Sequence, residues 1–242
     1  KTPLISYKNI RMGNNTTFPS TTPFLYNEPF WATFDFFPRH TGRHYHIFRG
    51  KAYSHRGFFS RTNVVIKFLR TIVKPLAEDI DYEMAAYLSR TRMAKEMAAE
   101  FSNLGGVRKD FWVEFAAAAT AYKDNVSILS VAKRSENEMV IIEEEVGKDL
   151  CMFVSEKGQI NLSLQHYLDT FCHYSYQKSN GRYLICKLVG HEHRGMYSLI
   201  CPCIHSTEKE FGLTDNGKNG IEEFFTFHKC NELCEKLNLK RR

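Results

Sequence analysis

A sheet-forming first half followed by mixed strands and helices predicts an α+β chain folded into two lobes. Three observations carry that prediction. From Phe30 to Lys67 the sequence is aromatic and β-branched, broken by Pro38, Gly42, Gly50 and Gly57, which reads as a twisted antiparallel sheet. From about Ile80 to Leu104 the residues Met84, Tyr87, Leu88, Met93, Met97 and Phe101 recur at three–four spacing, which reads as one long helix. Beyond it the patterns mix, with strands at Met139–Glu145 and Tyr183–Val189 and helices at Leu162–His173 and Ile221–Leu237.

Each element has a local reason. Residues 1 to about 27 are rich in Thr, Asn and Pro with little periodicity, and read as a peripheral arm. A domain over residues 28–242 follows, with an N-lobe at about 28–142 and a C-lobe at about 143–242. Asn63-Val64-Val65-Ile66-Lys67-Phe68-Leu69-Arg70 reads as a buried strand with one cation in its middle. A Lys placed so either snorkels at a strand end or has an anionic partner, which makes Lys67 a functional candidate. Pro75 separates that strand from the helix, and Gly105-Gly106 terminates the helix. The helix's apolar stripe reads as core rather than a cofactor box. Residues 111–123 are ambiguous: four consecutive alanines favour helix, whereas the aromatic flanks suit a strand. The strand at Met139 ends in Glu143, Glu144 and Glu145, which suit a charged strand end or an inter-lobe hinge better than acid-base work.

Composition removes several classes of function. Of 242 residues, 43% are hydrophobic and 14% aromatic, enough for a real core. The net charge of +6 is mild and spread along the chain, so acidic partners are permitted and nucleic acid is not required. The basic stretch Arg39–Arg61, with Arg43, His44, His46, Arg49, Lys51, His55 and Arg56, reads as solvated hairpin faces rather than a nucleic-acid patch. Seven cysteines without a regular framework fit a reducing, cytoplasmic setting. No apolar run reaches membrane-spanning length and no signal peptide is expected. The first residue is Lys, which reads as a segment of a longer protein.

Near the C-terminus stands His228-Lys229-Cys230-Asn231-Glu232-Leu233-Cys234. On one continuous helix, Cys230 and Cys234 would leave from the same face, with His228 close by. Three such ligands need a fourth from elsewhere for a closed tetrahedral zinc site. With four protein ligands the metal would be structural, having no open position for water. The alternative is two ordinary buried thiols and a surface histidine.

From about Glu28 to Leu239 the chain resembles the catalytic domain of the α-kinases. Four segments carry the resemblance, in the family's order. The strand Asn63–Lys67 resembles the one bearing the ATP-contacting lysine. Phe171-Cys172-His173-Tyr174-Ser175-Tyr176, followed by Ser179, resembles the segment whose His binds zinc. Phe211-Gly212-Leu213-Thr214-Asp215-Asn216-Gly217-Lys218-Asn219-Gly220-Ile221 resembles the family's glycine-bearing C-lobe loop, where Asp215 is expected to stabilise a turn. His228–Cys234 resembles the terminal zinc ligands. The resemblance implies a bilobal α-kinase fold with structural zinc held by His173, His228, Cys230 and Cys234. It also implies that Lys67 contacts ATP, and Glu143 and Lys187 are further candidates for nucleotide contact.

The departures fall where the chemistry should be. Where the family has D-L-Q-G with its catalytic Asp, this chain reads Lys187-Leu188-Val189-Gly190. Where the family has L-T-D-P with a metal-binding Asp, it reads Leu199-Ile200-Cys201-Pro202, then a good match at Ile204-His205-Ser206. The family's N-terminal lip appears as Pro29-Phe30-Trp31-Ala32-Thr33-Phe34-Asp35-Phe36, without its Gly and Arg.

A charged Lys cannot take a hydroxyl proton or ligate magnesium, and a thiol is a poor ligand for a hard cation. No catalytic residue is therefore expected, and the leading reading is a pseudokinase that serves a protein partner or client as scaffold or allosteric regulator. ATP stays a candidate ligand, while magnesium loses its expected ligands. Lys187 either contacts phosphate directly or forms an internal ion pair. One alternative is an active Ser/Thr kinase with relocated groups, for instance Glu192 in the loop His191-Glu192-His193-Arg194. Another is a zinc-stabilised module that binds phosphopeptide or nucleic acid.

Overall fold

The computed structural model describes residues 4–5, 30–35, 37–54, 61–70, 77–122, 139–147, 149–161 and 166–241. The expected arm lies outside these residues apart from Leu4–Ile5, as do Glu28, Pro29, His55, Arg56, Gly57, Pro75 and the start of the helix expected at Leu162. The chain forms two compact units, residues 1–84 with 117–145, and residues 85–116 with 146–242. The single division expected near residue 142 is thus replaced by crossings after residues 84, 116 and 145. Among the described residues no helix is long and apolar enough to cross a membrane.

The first unit is built on a seven-stranded sheet. Its strands are β1 (Leu4–Ile5), β2 (Phe30–Phe34), β3 (His40–Thr41), β4 (Tyr45–Ser54), β5 (Arg61–Leu69), β7 (Ala118–Tyr122) and β8 (Met139–Glu144). The order is β1-β2-β4-β5-β8-β7, with β3 beside β4. Every pairing is antiparallel. Alternation along β5 sends Val64, Ile66 and Phe68 to one face, where they are buried with Phe34, Phe48, Val140 and Ile142. Phe34, Phe48 and Phe68 meet with centroids 5.1–5.4 Å apart, an edge-rich aromatic cluster. The antiparallel sheet expected from Phe30 to Lys67 is present.

Helix α1 (Ala77–Ser102) contributes to both units, ending two residues before the expected Leu104. Its buried stripe includes Met84, Tyr87 and Phe101 as expected, but Ala94 and Ala98 fill positions where Met93 and Met97 are only partly buried. Small side chains let neighbours approach closely, which a count of large apolar residues misses.

The second unit holds a four-stranded sheet, β6-β12-β11-β9, and a two-stranded one, β10-β13. Here β6 is Trp112–Phe115, β9 Cys151–Val154, β10 Tyr183–Cys186, β11 Leu188–His193, β12 Met196–Ile200 and β13 Cys203–Ser206. The ambiguous stretch 111–123 is two strands, β6 and β7, in different units, because Ala116-Ala117 carries the chain across. The expected single strand Tyr183–Val189 is also two, interrupted at Lys187. Helix α2 (His166–Lys178) packs on β10, with Ser175 Oγ accepting the Ile185 N–H at 2.9 Å. The single helix expected over Ile221–Leu237 is replaced by α3 (Gly217–Phe227) and α4 (Glu232–Lys236).

Phe101 anchors this core, its ring 5.4 Å from Phe171, 5.4 Å from Tyr174 and 6.1 Å from Phe111. Phe101→Ala is expected to lower the unfolding free energy by about 3–5 kcal/mol in a urea titration. A loss below about 1 kcal/mol would mean that the cluster is not a packed core.

Candidate metal centre and a buried lysine–glutamate pair

In the first unit, β5 and β8 place Lys67 opposite Ile141 and Val65 opposite Glu143. Lys67 and Glu143 therefore share a sheet face as diagonal neighbours, within reach of long side chains. Lys67 Nζ donates to Glu143 Oε2 at 2.5 Å, with only 3% and 0% of the two side chains exposed. This supplies the anionic partner that the position of Lys67 called for. The other two carboxylates of the strand end differ in role: Glu145 accepts from Arg39 at 3.0 Å and Arg49 at 3.2 Å, and Glu144 lies partly exposed.

In the second unit, His173, His228, Cys230 and Cys234 converge, their ligand atoms all within 4.8 Å of one another. His173 comes from α2. His228 caps α3 with extended backbone, Cys230 lies between the helices, and Cys234 lies in α4. The two cysteines are therefore not on one helix as expected; a break at His228–Asn231 turns the chain so that both reach the same point. Asn231 sets the restart, its Oδ1 accepting the N–H groups of Leu233 and Cys234 at 3.0 Å each.

The donor set and spacing fit zinc. Zn–S of about 2.3 Å and Zn–N of about 2.0–2.1 Å at tetrahedral angles put ligand atoms about 3.3–3.8 Å apart. His228 Nε2 is 3.1 Å from His173 Nδ1, Cys230 Sγ is 3.7 Å from that Nδ1, and Cys234 Sγ is 4.0 Å from His228 Nε2. The opposite ring nitrogens are held as well. His228 Nδ1 lies 2.8 Å from Asp169 Oδ1, and His173 Nε2 lies 3.0 Å from the Lys240 carbonyl oxygen. Such outer partners fix the tautomer and aim the ligating nitrogen. Burial raises the Cys234 thiol, but both imidazoles and the Thr170 hydroxyl outweigh it and bring it down to about 6. Burial likewise opposes charge on His228, yet Asp169 and the two thiols push it up to about 10. A thiolate beside a cation is the charge pattern that a metal ion takes over. Sequence reasoning missed Asp169, although it precedes His173 by four residues and so shares its helix face.

The glycine-bearing loop is pinned by Asp215. Its carboxylate accepts from Ser206 N at 2.9 Å, Ser206 Oγ at 2.5 Å, Phe211 N at 3.2 Å and Gly217 N at 2.8 Å. The expected turn-stabilising role of Asp215 is what the geometry shows.

Lys187 and Cys201 occupy matching corners. Cys186 pairs with Cys203 in one sheet and Val189 with Ile200 in the other. Between these pairs both strands change sheets. Lys187 (φ 53°) and Cys201 (φ 48°) take the left-handed conformation there, sparse for non-glycine residues. Both are half-buried, and among the described residues Lys187 has no ion pair. Glu192, expected in a loop, is instead on strand β11. Its Oε1 accepts the Gly195 N–H at 2.8 Å, closing the tight Arg194-Gly195 hairpin.

The family model described as the alpha-kinase family matches residues 40–234. Alpha-protein kinase vwkA of Dictyostelium discoideum is 40% identical over 78 residues, 32% of this chain and 12% of that protein. Myosin heavy chain kinase B of the same organism is 27% identical over 116 residues, 47% and 15% of the two. Human alpha-protein kinase 1 is 38% identical over 74 residues, 28% and 6%. The chain thus spans a small part of each of these relatives. Among solved structures, an alpha kinase from Entamoeba histolytica aligns with TM-score 0.68 at 19% identity, over 90% of this chain and 85% of that one. The alpha-kinase domain of myosin-II heavy chain kinase A in complex with AMP-PNP aligns with TM-score 0.68 at 17% identity, over 100% and 96%. At these identities the structures establish a shared fold.

Two outcomes test these sites. Asp169→Asn is expected to weaken zinc binding by about 10–100-fold in a competitive chelator titration, because His228 loses its anionic support. Glu143→Gln is expected to cost about 3–5 kcal/mol in urea unfolding by removing the anionic charge paired with a buried ammonium. The double change Lys67→Met with Glu143→Leu should cost less than the single one, which tells a buried pair from simple packing loss.

Proposed function

The chain belongs to the α-kinase family, and from that premise we propose that this domain is a pseudokinase serving a protein partner as scaffold or allosteric regulator. One observation carries the reading: an ammonium and a thiol, Lys187 and Cys201, stand at the two strand corners where the family pattern has carboxylates. Phosphoryl transfer depends on metal ions bridging phosphate oxygens and on a group that orients the nucleophile. Neither side chain supplies an oxygen ligand for magnesium, and a charged Lys187 cannot act as base. General-base help alone contributes about 10²–10⁴-fold, so losing it together with a metal ligand lowers turnover by several orders of magnitude.

The runner-up, an active Ser/Thr kinase with relocated groups, is weakened by the engagement of Glu192 in its own hairpin. The binding-module reading is weakened by the commitment of Arg39 and Arg49 to Glu145. Zinc, in this reading, holds the C-terminal segment and takes no part in transfer. Seven free thiols suit a cytoplasmic setting. Nucleotide binding is compatible with lost transfer, since a lysine can contact phosphate oxygens without a metal. The AMP-PNP complex of myosin-II heavy chain kinase A supports keeping ATP as the ligand class.

Radiolabelled ATP, a basic protein substrate and either magnesium or manganese should give no incorporation above that of folded Lys67→Met protein. Robust incorporation abolished by Lys67→Met would overturn the pseudokinase reading. In thermal melts ATP is expected to raise Tm equally with and without added magnesium. Magnesium is omitted rather than chelated, because a chelator strong enough to remove it would also strip zinc. A shift seen only with magnesium would show that a metal ligand survives.

A further inference from the structure

A second group of soft ligands lies outside the cluster that resembles the family's zinc site. Cys186 on β10 is the direct cross-strand partner of Cys203 on β13. His205 follows Cys203 by two residues, so all three side chains leave the same sheet face. Their ligand atoms lie within 4.8 Å of one another, and the residues are 0%, 1% and 0% exposed. We propose that Cys186, Cys203 and His205 form a second metal site, for a thiophilic closed-shell cation such as zinc(II) or copper(I).

The geometry favours coordination over an ordinary thiol core. Cys203 Sγ is 3.9 Å from His205 Nδ1, close to the ligand separations in the first cluster. The ring is fixed in position: a Cβ at Gly220 of α3 would sit 2.5 Å from His205 Cδ2, so only glycine lets the imidazole lie there. His205 Nδ1 accepts the Asn216 N–H at 3.1 Å, which leaves the proton on the opposite nitrogen, the tautomer that Nδ1 ligation requires. His205 Nε2 is buried without a partner. Binding exchanges the Asn216 N–H for the cation at Nδ1, and the two thiol protons leave to solvent. Cys203 Sγ donates to the Thr214 carbonyl oxygen at 3.2 Å, so one oxygen donor adjoins the site once that thiol proton leaves. Copper(I) is satisfied by the three soft donors, whereas zinc takes a fourth from such an oxygen or a water.

The site would stiffen a consequential corner. Cys186 immediately precedes Lys187, and Cys203 follows Cys201 by two residues, so the cation would clamp both strands where they change sheets.

The test loads the full chain anaerobically with excess zinc, or with copper(I) in a separate arm, then desalts it and counts metal. About two equivalents per chain are expected with at least one cation, and about one in Cys203→Ala and Cys186→Ala. One equivalent in the wild type with both cations, or two in both variants, overturns the proposal. Should the variants fail to fold, a cobalt(II) titration of the wild type decides. Thiolate-to-cobalt absorbance rising past the first equivalent supports the site, and saturation at one rejects it. Loss of two alkylatable thiols from metal-free protein would show a Cys186–Cys203 disulfide instead, and would also reject it.

Discussion

Four side chains from separate segments, His173, His228, Cys230 and Cys234, meet at one point in the C-terminal unit. His173 projects from a helix that is part of the core, but His228, Cys230 and Cys234 lie on elements with little stability of their own. Helix α3 has 11 residues and α4 only 5, and isolated helices below about 12–15 residues are marginal in water. A metal bound there would change that balance, since structural zinc contributes about 10–16 kcal/mol in small zinc domains and does so only when all ligands are assembled. The neighbours make sense on that account. Asp169 and the Lys240 carbonyl orient the imidazoles, and Asn231 starts the helix that carries Cys234. Leu233 and Leu239 then pack into the main core. Asp215 does the corresponding work one loop earlier with four hydrogen bonds.

The strand corners obey a different constraint. Because β10 and β13 pair in one sheet while β11 and β12 pair in another, each chain must bend sharply once. Lys187 and Cys201 absorb those bends. A left-handed conformation costs a non-glycine residue on the order of 1–3 kcal/mol, which the surrounding strands must over-determine. The bend is thus a property of topology, and since Asp and Asn enter the left-handed region more readily than Lys or Cys, the paired strands around the two corners must hold it.

Much of this was legible in the residues, and the failures have common causes. The antiparallel sheet declared itself through β-branched alternation, and Lys67 demanded a partner because a buried cation is costly alone. Which carboxylate would answer depended on strand register, which period-two patterning does not reveal. The break at Lys187 was hidden because an apolar run keeps its alternation when a strand moves from one sheet to another. The break at His228–Asn231 was hidden for a related reason: the apolar residues on either side continue a helical rhythm that the backbone does not. Alanines at 116–119 looked helical by propensity, yet tertiary pairing overrode that preference. Asp169 could have been found from its four-residue spacing to His173. The Cys186–Cys203 pairing could not, because it required knowing which strands are neighbours.

The buried pair and the altered corners do not weigh equally as evidence about function. Removing one partner of a buried ion pair typically costs about 3–5 kcal/mol, a large share of the stability of a marginally stable domain. Lys67 and Glu143 would therefore persist for folding alone, whether or not nucleotide binds. Lys187 and Cys201 are half-buried turn residues, where a carboxylate of the family pattern would be needed for chemistry and not for packing. Under the pseudokinase reading proposed above, its replacement lowers turnover far more than it lowers stability. Keeping the pair demanded by stability while changing the two corner residues is what the proposed pseudokinase reading requires. On that argument the presence of Lys67 says little about activity. The side chains at 187 and 201 say most of it.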